Sequence, residues 1–429
     1  MKRKVFFIMI AALTTVGFCL GTISNAEEPQ WYRGNVHMHS FWSDGNVFPE
    51  MAVDWYKDNG YQFVVLSDHT YLQQNPNQWI DREQAKCVRV WENYRQRYGE
   101  DNIETRNQDG KNQVRLKTFV ELQKLLDVPG KFIMIPGHEI NDSANGVTLH
   151  AGALNVTATI PFQRGETLAD SIDLLVLKTQ ANGKENEHIS DCVINHHAWP
   201  YYDIDPLSLA KAKHVRLFEF LCANGGPAAG YKEDERFWTR ESYWDVVTSF
   251  RLIEGLPLIY GLGTDDTHDY LTFGDRRDNP GECWIVVRAN ELEPNAIMES
   301  LQKGDFYASN GVEMKDVQFD RTTGTLAVEV KPESGVNYRI DFIGTKKNFD
   351  QTVTPFLVEK TDKNPERKGW TFSNEIGVVL DSSNETKASY TVKEDDLYVR
   401  AVIVSDKSNK IRAGYEPDVD TAWTQPYCR

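Results

Sequence analysis

The feature that most constrains this chain is a recurring pattern: short apolar runs that stop at a histidine or a carboxylate. The first is Asn35-Val36-His37-Met38-His39, where two histidines stand one residue apart behind an extended segment. Residues i and i+2 of a strand share a face, so both imidazoles can reach one cation. Imidazole is the commonest neutral metal ligand near pH 7. The apolar run that follows enters Ser67-Asp68-His69, and a later one enters Pro136-Gly137-His138-Glu139. Leu149-His150 comes shortly after, and further runs end at Asn195-His196-His197 and near Glu219. The last is followed by Thr264-Asp265-Asp266-Thr267-His268. Helical stretches expected at 49–59, 167–180 and 242–254 separate these runs, the first with Pro49 in its first turn and Gly60 past its end. Continuous apolar strands alternating with helices belong to a buried parallel sheet. Functional groups at the C-terminal strand ends are the arrangement of a βα barrel.

At 429 residues two domains are expected, and a hydrophobic content of 40% is enough to bury their cores. Beyond 310 the pattern changes to short alternating strands at 314–319, 325–330, 338–344, 387–392 and 397–404, with turn residues between. This predicts a small antiparallel β-sandwich over 311–429, after a barrel over 27–310. Residues 73–126 read as a polar insertion with helices near 81–98 and 115–126 and a loop at 107–112. An insertion at that place would overhang the barrel mouth.

Residues 1–26 read as a secretory signal: Lys2, Arg3 and Lys4, an apolar stretch, then Ser24-Asn25-Ala26 as a small-x-small cleavage site. The expected location is periplasmic or extracellular, with no stable membrane span once the leader is cut. Six cysteines less Cys19 in the leader leave Cys87, Cys192, Cys222, Cys283 and Cys428, an odd and scattered set with room for one or two disulfides. The net charge of −16 argues against nucleic acid as a primary partner, since phosphate backbones need basic patches. A small-molecule or ester substrate is the expected partner.

Collected, the candidate donors are His37, His39, Asp44, His69, Glu139, His150, His196, Asp266 and His268. They are too many for one cation, which usually takes three or four protein ligands at a catalytic zinc site. They suit two or three divalent ions sharing a carboxylate, and Glu139 is the expected bridge. Imidazole and carboxylate without thiolate favour Mn, Zn or Fe. Such a cluster makes hydroxide available near neutrality and neutralises charge in the transition state, which points to hydrolysis, with phosphate esters the best match. Asp266, His268 and Glu139 are the candidate catalytic groups. No Gly-x-Ser-x-Gly motif or reactive cysteine context is evident.

The ordered motifs His37-x-His39, Ser43-Asp44-Gly45, Ser67-Asp68-His69, Pro136-Gly137-x-Glu139, His150, Asn195-His196 and Asp266-x-His268 resemble those of the PHP (polymerase and histidinol phosphatase) family over residues 31–310. The resemblance implies a distorted seven-stranded, TIM-like βα barrel, a tri-metal site and phosphoesterase activity. It implies His37, His39, Glu139 and Asp266 at a first metal, and Asp44, His69 and His268 at a second. Glu139, His150 and His196 would hold the third. Where the family often has His-Pro this chain has His196-His197, and His196, directly behind its strand, is the expected ligand. Tyr307-Ala308-Ser309-Asn310-Gly311 and Ala422-Trp423-Thr424-Gln425-Pro426 are similar to a secreted branch that includes carbamate and amide hydrolases. Carbamate, amide or carboxyl-ester hydrolysis on the same metals is therefore the alternative chemistry. A secreted binding protein with a vestigial barrel is the non-enzymatic one.

Asp68 and Asp265 are expected to orient ligating histidines rather than ligate. His138 is expected on the opposite face of its strand, and it, His188 and His214 are expected to be structural or exposed. Glu219 is a candidate for a supporting or substrate role. Arg276 and Arg277 read as a surface loop within reach of an anion, and Trp238, Trp244 and Trp284 as core.

Overall fold

The computed structural model describes residues 29–197, 204–222, 240–274, 278–358, 366–409 and 419–429. The expected leader at 1–26, Trp238, Arg276 and Arg277 lie outside the described residues. The chain is a mixed α/β protein with one large central sheet and few helices.

Strand β1 (Gln30–Asn35) leads to the helix Pro49–Asp58, then to β2 (Phe63–Leu66), every residue of which is buried. The helix starts with Pro at its first position, where the missing N–H costs nothing, and buries Ala52, Val53 and Tyr56. The insertion follows. Its helices span Ala85–Tyr98 and Phe119–Leu126, the latter closed by a capping box between Thr118 and Glu121. Between them the expected loop at 107–112 is instead a hairpin of β4 (Thr105–Gln108) and β5 (Lys111–Arg115), and β3 (Trp79–Asp81) pairs with β5. The Asp109-Gly110 turn, at φ 52° and 79°, has the left-handed backbone that joins two-residue hairpins. β4 is polar and exposed throughout and β5 fully buries Val114 alone, so no apolar alternation marks them.

Strand β6 (Ile133–Ala144) turns directly into β7 (Val147–Leu154), and the two pair antiparallel. The helix Leu168–Glu185 leads to β8 (Asp191–Ile194), the helix Pro206–Lys211 to β9 (Leu217–Cys222), and the helix Arg240–Ile253 to β10 (Tyr260–Thr264). Pairs β1–β2, β2–β6, β8–β9 and β9–β10 are parallel, while β7 runs antiparallel to both neighbours. The segment past β1 meets the segment past β10 through a parallel bridge between Met38 and Thr267. His39 N–H donates to Thr267 O at 2.9 Å and Asp266 N–H to His37 O at 3.0 Å. The sheet therefore bends far enough for its two distant strands to touch at the end that carries the histidines.

On its other edge β1 pairs antiparallel with β11 (Trp284–Ala289), and β11 with β12 (Phe306–Ser309). The region beyond 310 contributes β13 (Met314–Asp320) and β14 (Thr325–Val330), then β15 (Tyr338–Lys346) and a hairpin of β16 (Thr354–Val358) and β17 (Arg367–Thr371). Next come β18 (Val378–Ser383), β19 (Lys387–Thr391), β20 (Asp396–Ser408) and β21 (Val419–Thr424). Strands β13, β14 and β19 form a sheet of their own. Strands β15, β18, β20 and β21 extend the central sheet, because β21 pairs with β12. Hydrogen bonding thus runs straight across the expected boundary at 310. The Gln425 amide closes the junction: its Nε2 donates to Gly261 O and its Oε1 accepts from Gly261 N–H, both at 2.9 Å. Arg400, 1% exposed, grips Asp245 of the helix Arg240–Ile253 through Nε at 2.8 Å and a terminal nitrogen at 2.6 Å. Trp244 and Trp284 are buried, as expected for core residues. Among the described residues none of Cys87, Cys192, Cys222, Cys283 and Cys428 forms a disulfide, although the sequence left room for one or two.

Removing the carboxylate of that buried pair leaves the guanidinium with the half-exposed Glu241 at 3.2 Å as its carboxylate partner, and breaking a buried pair costs about 3–5 kcal/mol. We expect Asp245→Ala to lower the unfolding free energy by that amount, read as a lower urea midpoint at an unchanged slope. A variant that unfolds at the wild-type midpoint contradicts the clasp.

Candidate metal centre

The donors converge on Glu139, which is fully buried near the middle of β6. Its Oε1 lies 3.0 Å from His196 Nε2, 3.4 Å from His37 Nε2 and 3.4 Å from His150 Nδ1. Its Oε2 lies 2.6 Å from His69 Nδ1 and 3.8 Å from His39 Nε2. Each oxygen thus faces its own group of imidazoles, as a bridging carboxylate requires. Asp266 is the second buried anion, with Oδ1 3.1 Å from His37 Nε2 and 3.0 Å from His39 Nε2. Asp44 faces the site from the loop after β1, 3.4 Å from His69 Nε2 and 3.3 Å from His268 Nε2.

Three compact donor groups result: His37, Glu139 and His196; His37, His39 and Asp266; and His39, Asp44, His69 and His268. His150 joins none of them, its Nδ1 meeting Glu139 and, at 3.0 Å, Asn141 Nδ2. The reason is topological. His150 sits in the reversed strand β7, opposite Asn141, and reaches the cluster from the first half of its strand, not the end.

Strand ends alone do not place these groups. His196 has φ 23° and Asp266 φ 52°, a left-handed backbone unusual for residues with a Cβ and costing about 1–3 kcal/mol each. Both turns aim a donor inward. His196 N–H donates to Glu219 Oε2 at 2.8 Å, and His197 turns away, its Nδ1 2.8 Å from Glu219 O and its ring against Tyr243. Backbone direction thus turns His196 toward Glu139 and His197 away from it.

Glu219 supports the site. Its Oε1 lies 2.7 Å from His37 Nδ1 and accepts Thr264 Oγ1–H at 2.7 Å, which leaves Nε2 of His37 turned to the centre. Contrary to the expectation from the sequence, Asp68 does not orient a histidine. It accepts Ser40 N–H at 2.7 Å, Ser40 Oγ–H at 2.8 Å and Ser43 Oγ–H at 2.7 Å, so it anchors the loop that carries Asp44. Asp265 likewise meets no histidine in the hydrogen-bond network: it accepts the amides of Gly281, Glu282 and Cys283 and the Tyr56 hydroxyl. Burial nonetheless holds its carboxyl up at about 6. His138 is buried on the opposite face of β6 and accepts the Ile160 amide at 2.9 Å; His188 and His214 are exposed.

Sequence reasoning missed two asparagines. Asn195 donates to Glu139 Oε1 at 2.9 Å and Asn141 to Oε2 at 3.2 Å. Asn141 was discoverable, since it stands two residues after Glu139 on the same strand face.

The electrostatics call for cations. Burial opposes charge on His37, yet Asp266, Glu219 and Glu139 hold it well above its ordinary pKa. Burial works against Glu139 as well, and His37, His150 and His196 overcome it and keep the carboxyl far below the usual range. Around one ion at about 2.1 Å, donors sit roughly 3.0–3.4 Å apart. His37 Nε2, His39 Nε2 and Asp266 Oδ1 stand 3.0–3.2 Å from one another. The donor set therefore fits divalent ions, and its nitrogen and oxygen chemistry suits transition metals.

No family model and no curated protein matches the chain. Among solved structures, it is similar to a two-domain protein from Bacteroides vulgatus that contains a predicted PHP-like metal-dependent phosphoesterase. The identity is 12% over 93% of this chain and 94% of that one, with a TM-score of 0.37. A candidate metal-dependent phosphoesterase from Bifidobacterium adolescentis matches at 12% identity over 56% of this chain and 90% of that one, TM-score 0.31. At such values the likeness assigns no chemistry to this chain.

Without ions, burial is outweighed by Asp44 and Glu139 at His69, whose pKa rises to about 10, and by Asp44 and Asp266 at His268, which rises to about 9. Both raised values mean protonated rings at pH 7, whereas a metal needs them neutral. Titrating metal into metal-free protein at pH 7 should therefore release protons, read as a binding enthalpy that changes with buffer ionisation enthalpy. A buffer-independent enthalpy contradicts the proposed ligands.

Proposed function

We infer that this chain is an exported metal-dependent hydrolase of the PHP type, acting on phosphate esters at a site for two or three divalent ions. The observation that carries the reading is the position of Glu139, with separate imidazole groups on its two oxygens and Asp266 beside them. Bound divalent cations would supply an acidified water and neutralise charge growing on the ester oxygens.

The chain's own residues do the rest. His37, His39, Glu139, His196 and Asp266 would hold the inner cations, and Glu219 keeps His37 in the right tautomer. Asp44, His69 and His268 stand on the solvent side, where a substrate enters. Asn141 and Asn195 fix the Glu139 carboxylate from either side, so its oxygens keep their aim as charge shifts around them. We also read β1, β2 and β6 to β10 as the distorted seven-stranded barrel, supported by the Met38–Thr267 bridge. The strands beyond 310 are read as the sandwich, and residues 1–26 as a cleaved leader. Among the described residues no helix is long and apolar enough to cross a membrane.

A panel of p-nitrophenyl phosphate mono- and diesters, carbamates and carboxyl esters tests the reading on purified, metal-loaded protein. Phosphate esters should be hydrolysed fastest, and Asp266→Ala should lower the rate about a thousandfold or more, near 4 kcal/mol of barrier. Preference for a carbamate or carboxyl ester would move the chemistry to acyl transfer on the same metals. Full activity in Asp266→Ala would remove the site.

A further inference from the structure

We propose that the donors form two tiers, a buried one that retains its ions and an outer position at Asp44, His69 and His268 that exchanges its ion with solution, so that metal supply sets activity. This rests on the hydrolase reading above.

Burial divides the donors sharply. The side chains of His37, His39, Glu139, His196 and Asp266 are at most 4% exposed, whereas those of Asp44, His69 and His268 are 57%, 27% and 20% exposed. An ion at the inner position can leave only by opening the cluster. An ion at the outer one regains water as it departs, with nothing displaced.

Charge divides them in the same direction. Two carboxylates, Glu139 and Asp266, face the inner imidazoles, while the outer position has Asp44 alone. The neutral imidazole of His39 cannot serve both tiers. Its Nε2 points to Asp266 at 3.0 Å, and its Nδ1 is 3.9 Å from Asp44. A neutral ring carries one free lone pair, so ligation through Nε2 leaves a proton on Nδ1. The outer ion then keeps three protein ligands and open positions, as a catalytic ion does.

The outer position is nonetheless built and not frayed. Asp68 holds Ser40 and Ser43 at the base of the Asp44 loop, and Asn46 N–H donates to His268 O at 3.0 Å. Gly45 lies so close to the loop's start that a Cβ there would sit 2.6 Å from the His39 backbone. The loop is thus fixed at both ends with Asp44 at its apex. His69 is held by Asn141 Oδ1, 2.9 Å from its Nδ1.

The test loads the full chain with Zn or Mn, removes free metal, and challenges it with a weak chelator while elemental analysis counts ions per chain over time. We expect two phases, with one ion per chain leaving at least tenfold faster than the rest. Asp44→Asn should lack the fast phase and keep the slow one. Loss of all ions in one phase from the unaltered chain, or an Asp44→Asn chain that also lacks the slowly leaving ions, overturns the two tiers while leaving the hydrolase reading intact. A chain that binds no metal at all overturns both.

Discussion

A carboxylate with no exposed surface, ringed by five imidazoles, is the constraint on which this molecule depends. Glu139 has His37, His39, His69, His150 and His196 within 4 Å of its oxygens. Burial penalises its charge, and a second buried carboxylate, Asp266, adds to the penalty. Protonated histidines can compensate only by giving up the lone pairs that make them ligands. Divalent cations compensate both carboxylates and leave every imidazole neutral. The scaffold can be understood as the means of holding that many polar groups together against their own desolvation.

The main chain contributes as much as the side chains. The segments after β1 and β10 are locked to each other by the Met38–Thr267 bridge, which sets His37 and His39 against Asp266. Left-handed turns at His196 and Asp266 redirect donors that ordinary strand ends would aim elsewhere. Such conformations persist only when the surroundings over-determine them. Glu219 accepting the His196 amide and Asp265 accepting three successive amides around Cys283 are the local means. The C-terminal region adds to the same rigidity, since Gln425 satisfies both backbone groups of Gly261 on the strand that leads to Asp266.

Much of this was legible in the sequence because the donors sit where periodicity breaks. His37 and His39 share a face by spacing alone, and the apolar runs before His69 and Glu139 are buried strands, as their composition demands. What was not legible is set by long-range pairing. The exception is β7, whose reversal is marked locally by the Asn145-Gly146 turn, at φ 53° and 80°, and which moves His150 from a strand end to the rim. Nothing local says that β21 pairs with β12 and carries the sheet past 310. The hairpin of β4 and β5 was hidden because its two strands fully bury Val114 alone, although Asp109-Gly110 marked the turn. Asp68 was read as a partner for histidine because it adjoins one. Its direction, set by the main chain, takes it to Ser40 and Ser43 instead.

The most direct measurement is anomalous diffraction from crystals of the metal-loaded chain, collected on both sides of the absorption edge. At least two separate peaks are expected on opposite sides of the Glu139 carboxylate, one within bonding distance of each oxygen, with His37 and Asp266 beside one of them. A single peak, or peaks that leave Glu139 without a metal on either oxygen, would contradict a bridging Glu139.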